Sequence, residues 1–136
     1  MVLRNEWLKN DSSNIHTLLQ LIELKGFPSV GRVGERAYSN AQLLLLHFDE
    51  DTNNRILKPI LTKYLKSGEI YPSDYARIID RHHSRDGKQL YYEWRPCLYE
   101  HLSNQEKERV SQARKEIGLK PKVFKCSTFG KIQIIE

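Results

Sequence analysis

The stretch that decides the fold is residues 11–28, which reads DSSNIHTLLQLIELKGFP. Its apolar positions recur at the i, i+3, i+4, i+7 spacing of one helix face: Ile15, Leu18, Leu19 and Ile22. Aspartate and serine at 11–13 are good N-cap residues, and a glycine followed by a proline two residues later ends a helix. The stretch therefore predicts a helix that begins near residue 11, buries this face and ends at Gly26.

The residues after this helix predict a loop and then a second helix. Residues 27–34 contain one proline and two glycines, which suit positive-φ positions, but they lack the full pattern of a phosphate-binding turn. From Glu35 the chain is apolar almost all round, which is typical of a central helix. The predicted buried face comprises Ala37, Ala41, Leu44, Leu45 and Phe48.

Three further helices are predicted towards the C-terminus. Pro59 predicts a kink or restart near Leu57 in the first of these helices. Ser73 is a candidate N-cap for the second, whose predicted buried side comprises Tyr75, Ile78, Ile79 and His82. Ser103 and Glu106 form a capping-box pattern before the third. The apolar residues of the tail, residues 122–136, surround a glycine and predict a short β-hairpin. The fold class is therefore mainly α: a small bundle of four or five helices with a short C-terminal β-hairpin.

Length and composition limit the classes of protein that fit. A chain of 136 residues with 39% hydrophobic residues suits a single domain with its own core. No apolar run approaches the roughly 20 residues of a membrane-spanning helix, and the start lacks a signal-peptide pattern. Two cysteines without metal-binding spacing predict free thiols. We therefore expect a soluble, cytoplasmic protein with no cofactor and no membrane partner.

Landmarks spread along the chain together resemble a known family. In order, they are Gly26-Phe27-Pro28, Val33-Gly34, His47-Phe48-Asp49, Gly68-Glu69, Asp80-Arg81, Gly87-Lys88-Gln89 with Tyr91, and Arg114-Lys115-Glu116-Ile117-Gly118-Leu119. Across residues 14–121 this order resembles the small bacterial proteins catalogued as domain of unknown function 6624. The resemblance implies a mostly helical domain with a polar loop after the Asp-Arg pair, and it implies no established reaction.

The chain also departs from the pattern of that family. The family tends to have a glutamine directly before the histidine, where this chain has Leu46. It also tends to have Tyr-Gly-Thr-Gln after the Gly-Lys-Gln turn, where this chain has Tyr91-Tyr92-Glu93-Trp94. If that run builds a site, the site is altered here. The tail after Pro121 lies outside the resemblance.

Polar side chains at the ends of two helices and in one loop predict a shared cleft. The candidate residues are His47, Asp49 and Asp80 as catalytic groups, and Arg81, Lys88 and Gln89 as ligand- or anion-binding groups. Histidine is a base near neutral pH that carboxylates can orient, and cationic side chains stabilise negative charge. Such a cleft would suit a hydrolase or transferase that acts on an anionic substrate.

Two other interpretations use the same residues. In the structural one, His47 is a partly buried residue at a helix C-terminus, and Asp80 with Arg81 forms an ion pair that ties the loop to the helices. In the metal one, His47, Asp49 and Asp80 would be joined by His82 or His83. The spacing of these residues does not match a recognised metal-binding pattern, so it does not support a metal site. Adjacent histidines on a helix diverge by about 100°, and we expect His82 to face the core.

The basic balance leaves several classes of partner open. The formal charge is +5 with a pI near 9.2. Binding of nucleic acid would use the tail lysines with the basic residues of the last helix: Lys120, Lys122, Lys125, Lys131, Arg109, Arg114 and Lys115. Acidic residues dilute that helix, and lysines also protect strand edges. The function we expect is a helical interaction module whose partner is another protein, through the His/Asp/Arg cleft.

Overall fold

The computed structural model describes residues 2–51, 54–85, 91–92, 102–121, 123–126 and 132–135. For residues 2–9, 84–85 and the last two ranges it describes the backbone alone. The helices are α1 (Val2–Lys25), α2 (Val30–Val33), α3 (Glu35–Leu46), α4 (Leu57–Lys66), α5 (Pro72–Arg85) and α6 (Asn104–Glu116). The prediction of a mainly helical protein is confirmed. Within these ranges, no helix is both long and apolar enough to cross a membrane.

Helix α1 begins far earlier than predicted, because residues 11–13 lie inside it rather than at its start. One of the side chains that suggested a cap has another role: the Ser12 hydroxyl donates to Glu50 over 2.7 Å. It therefore does not compete with the helix for its backbone groups. The predicted end is confirmed, since Gly26 has a φ of 85°. Ile15 and Ile22 of the predicted face are buried.

The segment from Phe27 to Gly34 is shorter as a loop than predicted, because it contains the single turn α2. The positive φ expected of a glycine in this segment is confirmed at Gly34, with 80°. The Arg32 guanidinium donates to the carbonyl oxygens of Lys25 over 2.6 Å and Phe27 over 3.2 Å. Arg32 therefore closes the turn by satisfying carbonyls that the end of α1 leaves unpaired.

Most of the predicted buried face of α3 is confirmed, since Ala41, Leu45 and Phe48 are buried. Ala37 is exposed and Leu43 is 53% exposed, and the buried face also includes Tyr38 and Gln42. Tyr38 can be buried because its hydroxyl donates to Asp74 over 2.8 Å and accepts from the backbone N–H of Tyr71 over 3.1 Å. Helix α3 is thus half-solvated rather than central, and its buried face includes polar side chains.

Helix α4 begins at Leu57, which confirms the predicted restart. Pro59 lies in its first turn, where the missing N–H has no intrahelical partner to lose. The buried carboxylate of Asp51 accepts from the N–H groups of Ile56 over 2.7 Å and Leu57 over 2.9 Å. Asp51 therefore caps the helix from six residues upstream.

Helix α5 begins one residue earlier than the predicted cap at Ser73. Pro72 takes the first helical position, where its fixed φ is favourable, and the Tyr71 carbonyl accepts from the N–H of Tyr75. The predicted buried side is confirmed for Tyr75, Ile78, Ile79 and His82.

Helix α6 follows the predicted pattern. The Ser103 hydroxyl accepts from the Glu106 N–H over 3.3 Å, and the Glu106 carboxylate accepts from the Ser103 N–H over 2.7 Å. The predicted capping box is confirmed, and Val110 is buried. Buried side chains of α1, α3, α4 and α5, with Phe27, Phe48, Ile70 and Tyr92, form one core cluster. Val30 of α2 and Ala113 of α6 pack against it.

Two short strands follow α6. Strands β1 (Val123–Cys126) and β2 (Ile132–Ile135) pair antiparallel, with Val123 opposite Ile135 and Cys126 opposite Ile132. The residues that would form the predicted turn, 127–131, lie outside the described ranges. The hairpin as a whole therefore stays a prediction.

Candidate functional site

A groove of about 330 Å³ lies between α1 and the segment that follows α3. Helix α1 contributes Asp11, Ser12 and Ile15, and the other side consists of residues 47–50. Ile15 and Phe48 are apolar and otherwise buried, so they form the base of the groove. The rim is polar. Two of the predicted site residues, His47 and Asp49, line this groove together.

His47 is placed by the end of α3. Its N–H donates to the carbonyl oxygens of Leu43 and Leu44, over 3.2 Å and 3.1 Å, as the helix terminates. Its side chain is exposed, so the expectation of a partly buried histidine is wrong, although the helix-end position is confirmed. The exposure follows from the sharp end of the helix, which directs residue 47 away from the core that Leu45 and Phe48 enter.

Arg81 of α5 contacts the His47 ring, with 3.4 Å between its Nη2 and His47 Nδ1. A guanidinium has donors only, so Nδ1 must accept in this contact. The ring then carries its proton on Nε2, which is a donor towards a ligand. The end of α3 is fixed on α5 by a second contact, 3.0 Å between His82 Nε2 and the Leu45 carbonyl oxygen. The structure thus brings His47 and Arg81 into contact, and their role as parts of one site stays a prediction.

Further polar contacts join the two sides of the groove. Glu50 accepts from the Ser12 hydroxyl over 2.7 Å and lies 3.1 Å from His16 Nε2. The His16 ring packs edge-on against Phe48, with 5.9 Å between ring centroids. The hydrogen bonds from Ser12 and His16 lower the pKa of Glu50, and the one from Ser12 has the larger effect. These contacts join α1 to the segment after α3 and hold the two walls of the groove together.

Asp80 lies in the core rather than on the rim of the groove. It is 2% exposed, and its Oδ1 accepts from the N–H groups of Tyr91 over 3.0 Å and Tyr92 over 3.1 Å. These bonds hold the 91–92 segment on α5, which is a structural use of the carboxylate. A catalytic role for Asp80 stays a prediction. Lys88 and Gln89 lie outside the described residues, so their place in the site stays a prediction too.

The histidines proposed for a metal site face different surroundings. His82 is buried against Leu45, and the His83 ring lies 4.4 Å from the Tyr91 ring, measured between centroids. The expected core-facing position of His82 is confirmed. Across the side chains that the structure describes, no three histidine, cysteine, aspartate or glutamate residues are grouped as a metal ion would require.

One basic residue assigned to nucleic-acid binding has an internal role. Arg114 is 8% exposed and donates to the carbonyl oxygens of Tyr92 over 2.9 Å and Lys120 over 3.2 Å. Its guanidinium is therefore directed into the protein and is poorly placed to contact a phosphate. Lys115 remains exposed on the same helix.

Sequence reasoning missed the partners that complete the groove. Glu50 lies 38 positions after Ser12 and 34 positions after His16. Local spacing along the sequence gives no indication that residues so far apart will pair. Gln42 was also missed, although a signal exists: it is a polar residue within an otherwise apolar run, four residues after Tyr38.

Comparison with protein-family models, with curated proteins and with solved structures finds no match to this chain. The resemblance to the domain-of-unknown-function 6624 family therefore stays a prediction.

Proposed function

We propose that the protein is an interaction module that binds a segment of a partner protein in the groove between α1 and residues 47–50. The observation that carries this proposal is the composition of the groove. Ile15 and Phe48 provide an apolar base, and His47, Asp49 and Ser12 place donors and acceptors around it. A few polar groups around an apolar surface are typical of sites that bind and orient a ligand.

The contacts of the candidate catalytic groups support binding over catalysis. A general base needs a free lone pair, and the Nδ1 lone pair of His47 faces the Arg81 guanidinium. A histidine base is usually oriented by a carboxylate that accepts from its Nδ1, whereas His47 Nδ1 contacts a guanidinium. His47 is therefore better suited to donate a hydrogen bond from Nε2 than to remove a proton.

The C-terminal strands form the second part of the proposal. The predicted hairpin, whose sequence contains several lysines, would have an edge that can add to the sheet of a partner. A protein partner and a cytoplasmic location belong to the same proposal. The resemblance to a family without an established reaction agrees with it.

Selection of random displayed peptides on the immobilised protein tests this function. We expect enriched peptides whose binding is lost in His47→Ala and in Asp49→Ala. Arg36→Ala is the matched control, because Arg36 is exposed on α3 away from the groove, and this variant should retain binding. If no peptide is enriched, or if the groove variants bind as well as the control, the proposal is wrong.

Screening with chromogenic esters and phosphate esters tests the alternative, a hydrolase or transferase. The interaction module should show no turnover. Turnover that His47→Ala abolishes, in a variant that melts at the same temperature as the wild type, would favour the enzyme.

A further inference from the structure

The groove between α1 and residues 47–50 has acidic side chains on both of its walls. Asp11 lines it from α1, Glu50 lines it from the segment after α3, and both side chains are exposed. The same lining includes the apolar side chains of Ile15 and Phe48. A segment bound in this groove therefore meets an apolar surface and, from each wall, a carboxylate.

Glu50 carries a negative charge near neutral pH and has acceptor sites to spare. Its Oε1 accepts from the Ser12 hydroxyl over 2.7 Å, and its Oε2 lies 3.1 Å from His16 Nε2. A carboxylate oxygen has about two lone pairs, so each of them can accept a further hydrogen bond. The hydrogen bonds from Ser12 and His16 lower the pKa of Glu50, which keeps it ionised. Ser12 is uncharged and His16 is charged only when protonated, so neither supplies a permanent positive charge.

Asp11 adds a second negative charge to the groove. It is exposed on α1 and forms no ion pair with any side chain that the structure describes. Arg81 contacts His47 from α5, but it is not among the residues that line the groove. Asp49 lines the groove too, and the charges of Asp11 and Glu50 are present whatever Asp49 contacts.

An apolar base with carboxylates around it suits a basic side chain. Lysine and arginine have long aliphatic stems that pack on apolar surface while the charged head stays in water. An acidic or phosphorylated segment would instead meet like charges. The volume of about 330 Å³ lies at the lower end of the roughly 300–1,000 Å³ of ligand sites, so the groove fits a short segment.

The charge of the whole chain makes such an attraction local. The formal net charge is +5, so the molecule as a whole repels a basic segment. At physiological ionic strength, exposed charges interact over only about 8 Å. Binding of a basic segment would therefore depend on the carboxylates at the groove and not on general charge attraction.

We infer that the groove between α1 and residues 47–50 binds a segment of the partner protein that contains lysine or arginine. Asp11 and Glu50 are the acceptors for the cationic head of this side chain. Its aliphatic stem packs on Ile15 and Phe48. Hydrogen bonds between charged groups are stronger than those between neutral ones. This assignment rests on the proposed function, since the segment occupies the same groove, and it names the chemistry that the partner presents.

Titration of isotope-labelled full-length protein, followed by nuclear magnetic resonance at about pH 7.5, tests the inference. At this pH histidine is ordinarily neutral. The probes are blocked pentapeptides of sequence Lys-Leu-Lys-Leu-Lys and Glu-Leu-Glu-Leu-Glu, which share their leucines and differ in charge. We expect saturable shifts of the backbone amides of Ser12, Phe48 and Glu50 with the lysine peptide alone. Equal shifts with both peptides, shifts with the glutamate peptide alone, or none with either would overturn the inference.

Charge reversal at two positions of α1 separates the groove from general attraction. Asp11→Lys removes an attraction and adds a repulsion, so it should weaken binding of the lysine peptide by roughly tenfold. Glu23→Lys makes the same change at an exposed position about 18 Å further along the helix, and it is the matched control. It should weaken binding by less than about twofold, because a charge at that distance is screened. Equal weakening in both variants, or none in Asp11→Lys, would overturn the site.

Failure of this inference differs from failure of the proposed function. If the selected peptides depend on His47 and Asp49 but contain no basic residue and bind Asp11→Lys as well as the wild type, the inference alone fails. If the lysine peptide shifts the groove residues and no selected peptide depends on the groove, the proposed function alone fails.

Discussion

The Asp51 side chain stabilises the backbone at the start of α4, because it accepts from two N–H groups there. Both acceptor contacts are short and the carboxylate is buried. Asp51→Ala should lower the free energy of unfolding by about 2 kcal/mol, since it removes a cap and leaves buried donors unpaired. Urea denaturation at neutral pH measures this change.

Asp11→Ala is the matched control for Asp51, because Asp11 is exposed on α1. It should change the free energy of unfolding by less than about 0.5 kcal/mol. If both variants lose a similar amount of unfolding free energy, the loss in Asp51→Ala comes from the change in net charge and not from the lost cap.

Glu50 gives the fold a dependence on acidic pH. The hydrogen bonds from Ser12 and His16 lower its pKa in the folded state relative to the unfolded state. Its contribution to stability is therefore complete above the unfolded pKa, near pH 4 to 5, and is lost as the pH falls through the lower folded pKa. Glu50→Gln should melt below the wild type at pH 7, and this difference should shrink towards pH 3.

Melting temperatures of the two proteins across this range measure the effect. Ser12→Ala should make the melting temperature less dependent on acidic pH than in the wild type. It removes the hydrogen bond that lowers the pKa of Glu50 most. A difference between wild type and Glu50→Gln that is the same at pH 7 and pH 3 would contradict the role of Glu50.

At the scale of elements, Arg114 joins α6 to two segments of the chain. Its guanidinium donates to the carbonyl oxygens of Tyr92 and Lys120, and Asp80 holds the same 91–92 segment from α5. Arg114→Ala should lower the free energy of unfolding by about 2–3 kcal/mol, because it leaves these carbonyls without their charged donor.

Denaturant unfolding together with amide hydrogen exchange of α6 measures the role of Arg114. Lys115→Ala, an exposed neighbour on the same helix, is the control and should leave both unchanged within about 0.5 kcal/mol. If α6 exchanges at the wild-type rate in Arg114→Ala, the helix is held by its apolar face alone.

At the scale of the whole molecule, Phe27 connects the helices through the aromatic core. It is fully buried, and its ring lies 5.0 Å from that of Tyr64 on α4 and 6.5 Å from that of Tyr38 on α3. Phe27→Ala should lower the free energy of unfolding by about 3–5 kcal/mol, a large share of the stability of a domain of this size.

Leu43→Ala is the control for Phe27, because Leu43 is largely exposed on α3. It should change stability by less than about 0.5 kcal/mol. Calorimetric melting of both variants tests the prediction, and a loss in Leu43→Ala as large as that in Phe27→Ala would mean that α3 is packed on the opposite face.

Sequence patterns predicted most of the helices and several of their ends. The end of α1 at Gly26, the start of α4 at Leu57 and the Ser103–Glu106 box were all predicted, because each depends on residues within one turn. Periodicity also identified the buried side of α5, since a helix face repeats every three or four residues. Local chemistry is enough for these features.

Tertiary structure decided which polar side chains meet. Glu50 pairs with Ser12 and His16 across more than thirty positions, and Asp80 caps the 91–92 segment instead of facing the groove. Residues 11–13 lie in the interior of α1, and the Ser12 hydroxyl bonds a residue of another segment. Such outcomes depend on how the helices pack against one another, and a pattern read along a single helix contains no information about the neighbour that its polar side chains will face.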